Sequence, residues 1–215
     1  MSKDIKNQST DSLFFSRSNL DNSSVDKIVS NALHKADDGE LFMEFCESES
    51  FVFDDQRLKS ASFDKSKGFG LRAVAGESSG YAHSSDIDEK SLKKASDTVN
   101  FVTKDNNANF NAAFSQTNRK LYNEANPINE TEFSEKVNVL KNIDEYARSK
   151  NSQVKQVSAS LNGEWQAVRI YRPGGIVIED LRPLVRLYIS IVLEKMGDKK
   201  MEAGVQAAES IIHLF

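Results

Sequence analysis

Val25, Ile28, Val29, Ala32 and Leu33 recur at helical spacing and predict a first helix, with Ser23 and Asp26 placed as a capping-box start and Asp37-Asp38-Gly39 as its end. From Leu41 to Phe53 the period falls towards two. Leu41, Met43 and Phe45 share one face, Phe51 and Phe53 return to it, and Glu47 and Glu49 lie between, so the spacing predicts a long strand with a polar middle. Asp54-Asp55-Gln56 supplies turn chemistry, Arg57 to Phe63 alternates, and Asp64 to Lys67 reads as a second polar turn. Phe69, Leu71, Ala73 and Ala75 resume the alternation, and Gly80-Tyr81-Ala82 begins a short returning strand, antiparallel to its neighbour.

A second helix is predicted over Asp86 to Val102, with Leu92, Ala95, Val99 and Val102 on one stripe and Asp86 or Ser85 as its cap. The Asn-rich stretch 104–118 has no period and reads as a loop or linker. A third helix is predicted from Glu132 to Ser149, carrying Phe133, Val137, Leu140, Ile143 and Ala147. Asn162-Gly163 lies between the alternating segments Val154–Leu161 and Trp165–Tyr171, a pattern that predicts a tight hairpin. Pro173-Gly174-Gly175 turns the chain into Ile176–Ile178, Leu187 to Leu193 reads as a final long strand, and Met196-Gly197-Asp198 as one more turn. Helices and groups of consecutive strands in this order predict an α+β fold, with antiparallel sheets of consecutive hairpins and about three packed helices. At 215 residues the chain can form one large domain or two small ones; residues 1–23 are expected to be a polar flexible leader, 24–204 an α+β domain, and 205–215 an atypical end.

Composition narrows the function classes. The 215 residues carry a net charge of −4, and no run of Lys or Arg forms a basic footprint for a phosphate backbone, so nucleic acid is not an expected partner. The apolar run Leu187–Leu193 is far shorter than the ~20 residues that cross a bilayer, and no membrane partner is expected. Leu13-Phe14-Phe15 is too short for a secretory signal, and Cys46 is the only cysteine, so a reducing, cytoplasmic setting is expected.

Candidate chemistry is sparse. Gly68-Phe69-Gly70-Leu71-Arg72-Ala73 fits a dinucleotide-binding glycine pattern, but alternation continues through it where that motif needs a helix. Ser91-Leu92-Lys93-Lys94 has acyl-transfer spacing without a partner motif. Glu47 and Glu49 read as a wet strand face, and Asp54 and Asp55 as turn residues. Cys46 reads as an inert thiol, His83 as a surface residue, and Arg72, Arg182 and Arg186 as ordinary strand arginines. No residue is therefore assigned as catalytic or metal-binding, and no substrate-binding residue is identified.

Two blocks carry a resemblance. DGELFMEFCESESFVFDDQRLKSASFDKSKGFGLRAVAGESSGYAHSSDI, from Asp38 to Ile87, and VKQVSASLNGEWQAVRIYRPGGIVIEDLRPLVRLYISIVLEK, from Val154 to Lys195, resemble the N-terminal half of the TldD/PmbA family of zinc metallopeptidases, and its TldD branch in particular. Asp180-Leu181-Arg182-Pro183-Leu184-Val185-Arg186-Leu187 is the most distinctive part. The family's His-Glu-x-x-x-His zinc motif is absent: His34, His83 and His213 are followed by Lys35, Ser84 and Leu214. The resemblance implies a cytoplasmic metallopeptidase subunit that acts with a PmbA/TldE-like subunit on unfolded or unstructured peptides, using metal-activated water. Zinc would belong to the full-length family enzyme, with none bound by this chain, which alone would be inactive. The segment Ala203 to Phe215 departs from the family's glycine-rich continuation, as a truncation or a change of reading frame near Ala207–Ile212 would produce. The alternative is a non-catalytic α+β module that binds peptides or a partner.

Overall fold

The computed structural model describes residues 10–16, 18–103, 125–195 and 199–209. Their elements run α1 (Thr10–Phe15), α2 (Asn22–Leu33), β1 (Asp38–Asp54), β2 (Arg57–Ala75), β3 (Ser78–Ser84), α3 (Glu89–Thr103), α4 (Pro127–Glu130), α5 (Phe133–Lys150), β4 (Val154–Arg172), β5 (Ile176–Lys195) and β6 (Lys199–Glu209). The strands form one sheet in the order β3-β2-β1-β4-β5-β6. The fold is α+β and antiparallel, with three long helices, α2, α3 and α5. The Asn-rich stretch 104–118, the Met196–Asp198 turn and the segment 210–215 lie outside the described residues.

The chain divides into two compact units. One takes residues 1–46, 66–121 and 166–181, the other 47–65, 122–165 and 182–215. In the first, α2 buries Val25, Val29, Ala32 and Leu33, and α3 buries Leu92, Ala95 and Val99. These pack with Leu41 and Met43 of β1 and with Phe69, Leu71 and Ala73 of β2 in one apolar cluster. Asp21 starts α2 with a reciprocal capping box. Its carboxylate accepts from the Ser24 N–H at 2.7 Å and its own N–H donates to Ser24 Oγ at 2.9 Å, which places the cap two residues before the expected Ser23. Asp88, not Asp86 or Ser85, accepts from the Ser91 N–H at 2.7 Å ahead of α3. Within the span expected as a flexible leader, α1 is ordered because Phe14 and Phe15 join the apolar cluster.

In the second unit, Phe51 and Phe53 of β1 pack with Leu140 of α5, Ala159 and Leu161 of β4 and Val185 of β5. The α5 face turned inward carries Lys136, Leu140 and Asp144 at four-residue spacing, while Phe133, expected on the buried stripe, is 56% exposed.

Two expected turns are not turns. β2 continues through Asp64–Lys67, where every residue from Arg57 to Lys67 is exposed, so the polar run is a strand wet on both faces. β4 continues through Asn162-Gly163. Asn162 accepts a hydrogen bond from Ser50 Oγ at 2.8 Å, and a Cβ at Gly163 would stand 3.0 Å from Glu49 Oε1, so this glycine admits a neighbouring side chain and not a reversal. The segments expected as Ile176–Ile178 and Leu187–Leu193 belong to one strand, β5, which runs on past Pro183; that residue precedes the stretch Val185–Lys195 paired with β6 and so costs no hydrogen bond of that ladder. The expected return at Gly80–Ala82 is β3, paired antiparallel with β2 from Phe69↔Ser84 to Ala75↔Ser78.

The β1–β2 turn holds Asp55 and Gln56 at φ 46° and 66°, both left-handed. A non-glycine residue pays about 1–2 kcal/mol there, so Gln56→Gly is expected to stabilise the protein by about 0.5–1 kcal/mol after the added flexibility of the unfolded chain is deducted, measured as a higher urea midpoint.

Candidate functional site

Strand parity decides the position of the two central carboxylates. Glu47 and Glu49 share the odd-numbered face of β1 with Met43, Phe51 and Phe53, and that face is covered, so the expectation of a wet strand face is wrong. A buried carboxylate needs partners, and each finds a lysine. Glu49 accepts from Lys136 Nζ at 2.7 and 2.8 Å, and the third ammonium proton goes to the Ile128 carbonyl at 2.7 Å. The Lys136 and Glu49 side chains are 4% and 9% exposed. Glu47 pairs with Lys65 and accepts from Asn126 at 2.7 Å and Asn129 at 3.3 Å. Asn126 also caps α4, accepting from the Ile128 N–H at 3.0 Å, so one side chain fixes the short helix and reaches the carboxylate.

Burial raises the Glu49 carboxyl above the ordinary carboxylate range, against the opposing pull of the Lys136 hydrogen bond and charge. Asp54 is held below it by hydrogen bonds from Ser158 and from Gln156, the latter at 2.9 Å. Asp55 is drawn to Arg148 at 2.6 Å, which also bonds Asp144 at 3.0 Å, so the expected turn aspartates are anchored to β4 and α5. Beside the Glu49–Lys136 pair opens a cleft of about 400 Å³, walled by Phe51, Ala61, Phe63, Ile128, Phe133 and Glu132 among others. Both Glu49 oxygens accept from Lys136, so this carboxylate is engaged as a structural acceptor and not poised as a general base.

The remaining sequence candidates are dispersed. Arg72 bonds Glu40 at 2.9 Å and Asp38 at 3.2 Å, and Arg182 and Arg186 are exposed on β5. His34 Nδ1 meets the Asn31 carbonyl at 2.8 Å, His83 stacks on Tyr81 with centroids 5.7 Å apart, and His213 lies outside the described residues. Cys46 is half-buried, Ser91 sits in the first turn of α3 with Lys94 exposed, and the Gly68–Ala73 run lies within β2. Among the described residues no group of three or more His, Cys, Asp or Glu side chains could hold a metal ion. The acidic groups that cluster face ammonium and amide donors, so the donor set does not fit zinc. Lys136, Asn126 and Asn129 went unnoticed in the sequence; the available signal was a lysine four residues before Leu140 on the inward face of α5.

Residues 39–99 match the family model described as PmbA/TldA metallopeptidase domain 1, and residues 126–211 match that of the PmbA/TldA metallopeptidase central domain. The metalloprotease TldD homolog of Haemophilus influenzae is 32% identical over 187 residues, covering 85% of this chain and 39% of that protein. The metalloprotease TldD homolog of Buchnera aphidicola subsp. Schizaphis graminum is 26% identical, covering 78% of this chain and 35% of its own length. The chain thus spans well under half the length of these relatives. Two solved structures share the fold at 15% identity. A putative modulator of DNA gyrase from Bacteroides thetaiotaomicron has a TM-score of 0.64, covering 86% of this chain and 44% of that one, and TldE from Thermococcus kodakarensis has 0.56, covering 87% and 44%. With two successive domain models matched and curated relatives aligned along most of its length, this chain belongs to the PmbA/TldD metallopeptidase family, of which it carries the first and central domains.

Proposed function

We propose that this chain is part of a TldD-like metallopeptidase subunit that processes unfolded peptides in the cytoplasm together with a PmbA/TldE-like subunit. The zinc ligands and the catalytic base lie outside these 215 residues, and the chain alone does not cleave peptides. The observation that carries this reading is the pairing of a two-domain family match with a donor set unsuited to zinc, because the clustered carboxylates are already engaged by Lys65, Lys136, Asn126 and Asn129. No described helix is long and apolar enough to cross a membrane, in keeping with a peptidase subunit that is not anchored by one.

The test is metal content by mass spectrometry and hydrolysis of an unfolded peptide by the purified chain. Neither stoichiometric zinc nor cleavage is expected, and activity should require the remainder of a TldD relative plus a PmbA-like subunit. Tight zinc or proteolysis by the chain alone overturns the proposal.

A second reading, a peptide-binding module without hydrolysis, is favoured by one feature: the exposed stretch of β2 beside the cleft.

A further inference from the structure

The peptidase reading gives no role to the cleft of about 400 Å³ beside Glu49 and Lys136, all of whose lining residues belong to the second compact unit. Its volume lies in the range of small-molecule sites, and its apolar wall is largely aromatic, formed by Phe51, Phe63 and Phe133 with Ile128 and Ala61. Phe51 is buried and tilts against Phe133 with centroids 5.5 Å apart, while Phe63 and Phe133 are 53% and 56% exposed and leave ring surface open to a ligand.

The polar groups of the lining decide what can enter. Lys136 is its one cation, and all three ammonium protons are engaged, by the two Glu49 oxygens and the Ile128 carbonyl. Asn129 donates its amide to Glu47 at 3.3 Å, which leaves its carbonyl oxygen to accept. Glu132 is exposed, makes no cap bond to α5, and has no hydrogen-bond or ion partner among the described residues. The positive end of α5 is offset in the same turn by Glu132 and Glu135. With Glu49 neutralised by Lys136, the lining keeps one uncompensated charge, and it is negative.

Aromatic rings and a lone carboxylate share one complement, a cation carried on an apolar stem. Two of the rings already have cations near them: Lys65 Nζ, held by Glu47, lies 5.3 Å from the Phe63 centroid, and Lys136 Nζ lies 5.9 Å from that of Phe51. Phe133, next to Glu132, has none among the described residues. An incoming anion would meet the Glu132 carboxylate and find no ammonium free to receive it.

We propose that this cleft is a binding site for a small organic cation, an ammonium or guanidinium on an apolar stem, with the stem against Phe51, Phe63 and Phe133 and the charge beside Glu132. The assignment goes beyond the peptidase reading and does not rest on it. Zinc content and hydrolysis test that reading, and ligand binding to this chain tests the cleft.

The probe is 2-phenylethylammonium, titrated into the purified chain at low salt and followed by amide chemical shifts, with 2-phenylethanol and 3-phenylpropionate as its neutral and anionic counterparts. The cation is expected to bind about tenfold more tightly than the alcohol and the carboxylate more weakly still, with the shifts confined to residues near 61–63 and 128–136. Glu132→Lys should weaken the cation about tenfold, leave the alcohol within about twofold and improve the carboxylate, a reversal that a loosened fold does not produce. Ala61→Trp, which fills the cleft from an exposed strand position, should abolish binding of all three while the urea midpoint stays at the parent value. N-acetyl-lysine methylamide and free pentylammonium separate the sources of such a cation: tighter binding of the first assigns it to a polypeptide side chain, tighter binding of the second to a free amine. The proposal is overturned if 2-phenylethylammonium does not bind at millimolar concentration, if the three probes bind equally, if binding survives Ala61→Trp, or if Glu132→Lys leaves the order of preference unchanged.

Discussion

Lys136→Met is expected to destabilise the protein by about 3–5 kcal/mol, because it leaves the Glu49 carboxylate buried without its cation. It also removes the bond to the Ile128 carbonyl that ties α4 to α5. Urea unfolding followed by circular dichroism measures the loss. The double variant Glu49→Gln with Lys136→Met should recover most of it, since removing both charges of a buried pair is often nearly neutral. A double variant as unstable as the single one would show that Lys136 matters through packing or through Ile128 alone.

The pH dependence carries a definite sign. The Glu49 carboxyl is raised in the folded protein, chiefly by burial, so between its ordinary value and its raised one the folded state holds the proton more tightly than the unfolded chain does. Its contribution therefore opposes folding at neutral pH and is relieved as pH falls through the raised value. In Lys136→Met the carboxyl loses its compensating ammonium and rises further. The deficit of the variant relative to the parent should then shrink on mild acidification, and a deficit that grows with acid would contradict this account.

What could be read from the residues divides along a physical line. Helices α2, α3 and α5 and strands β1 and β3 were legible because each has a dry side and a wet side, and periodicity reports that contrast. The middle of β2 was not, because a strand exposed on both faces has no contrast to display and its Asp64–Lys67 run imitates a turn. Asn162-Gly163 carries the local chemistry of a reversal, yet Ser50 and Glu49 supply partners that hold it extended. The Glu47 and Glu49 positions were legible by parity and misread by polarity. Their residue numbers put them on the Met43 and Phe51 face, and only the lysines that neutralise them, distant in sequence, make that burial tolerable.

Arg169→Met is expected to cost about 2–4 kcal/mol, consistent with losing several hydrogen bonds to charged partners at one buried position. Arg169 is 2% exposed at the end of β4, where its guanidinium bonds Asp11 at 2.5 Å, Asn22 at 3.0 Å and Tyr171 Oη at 3.3 Å, and also Thr10 and Glu179. It lies 5.8 and 5.4 Å from the ring centroids of Phe14 and Phe15 as well. Asp11, Thr10, Phe14 and Phe15 all belong to α1, a helix of six residues and far too short to persist alone. Its order therefore depends on this one side chain and on the apolar cluster its two phenylalanines enter. Asp11 and Glu179 are about half exposed and can rehydrate when the cation is lost, which keeps the expected cost below that of Lys136→Met. The damage should be local. Limited proteolysis should cleave the variant within residues 10–20 well before the rest of the chain opens, while the parent resists there. Arg169→Lys should behave almost as badly, because an ammonium cannot reproduce the planar fork that spans Asp11, Glu179 and Asn22 together. If the lysine variant matched the parent in both stability and protease resistance, charge alone would be holding α1, and the hydrogen-bond geometry would be incidental.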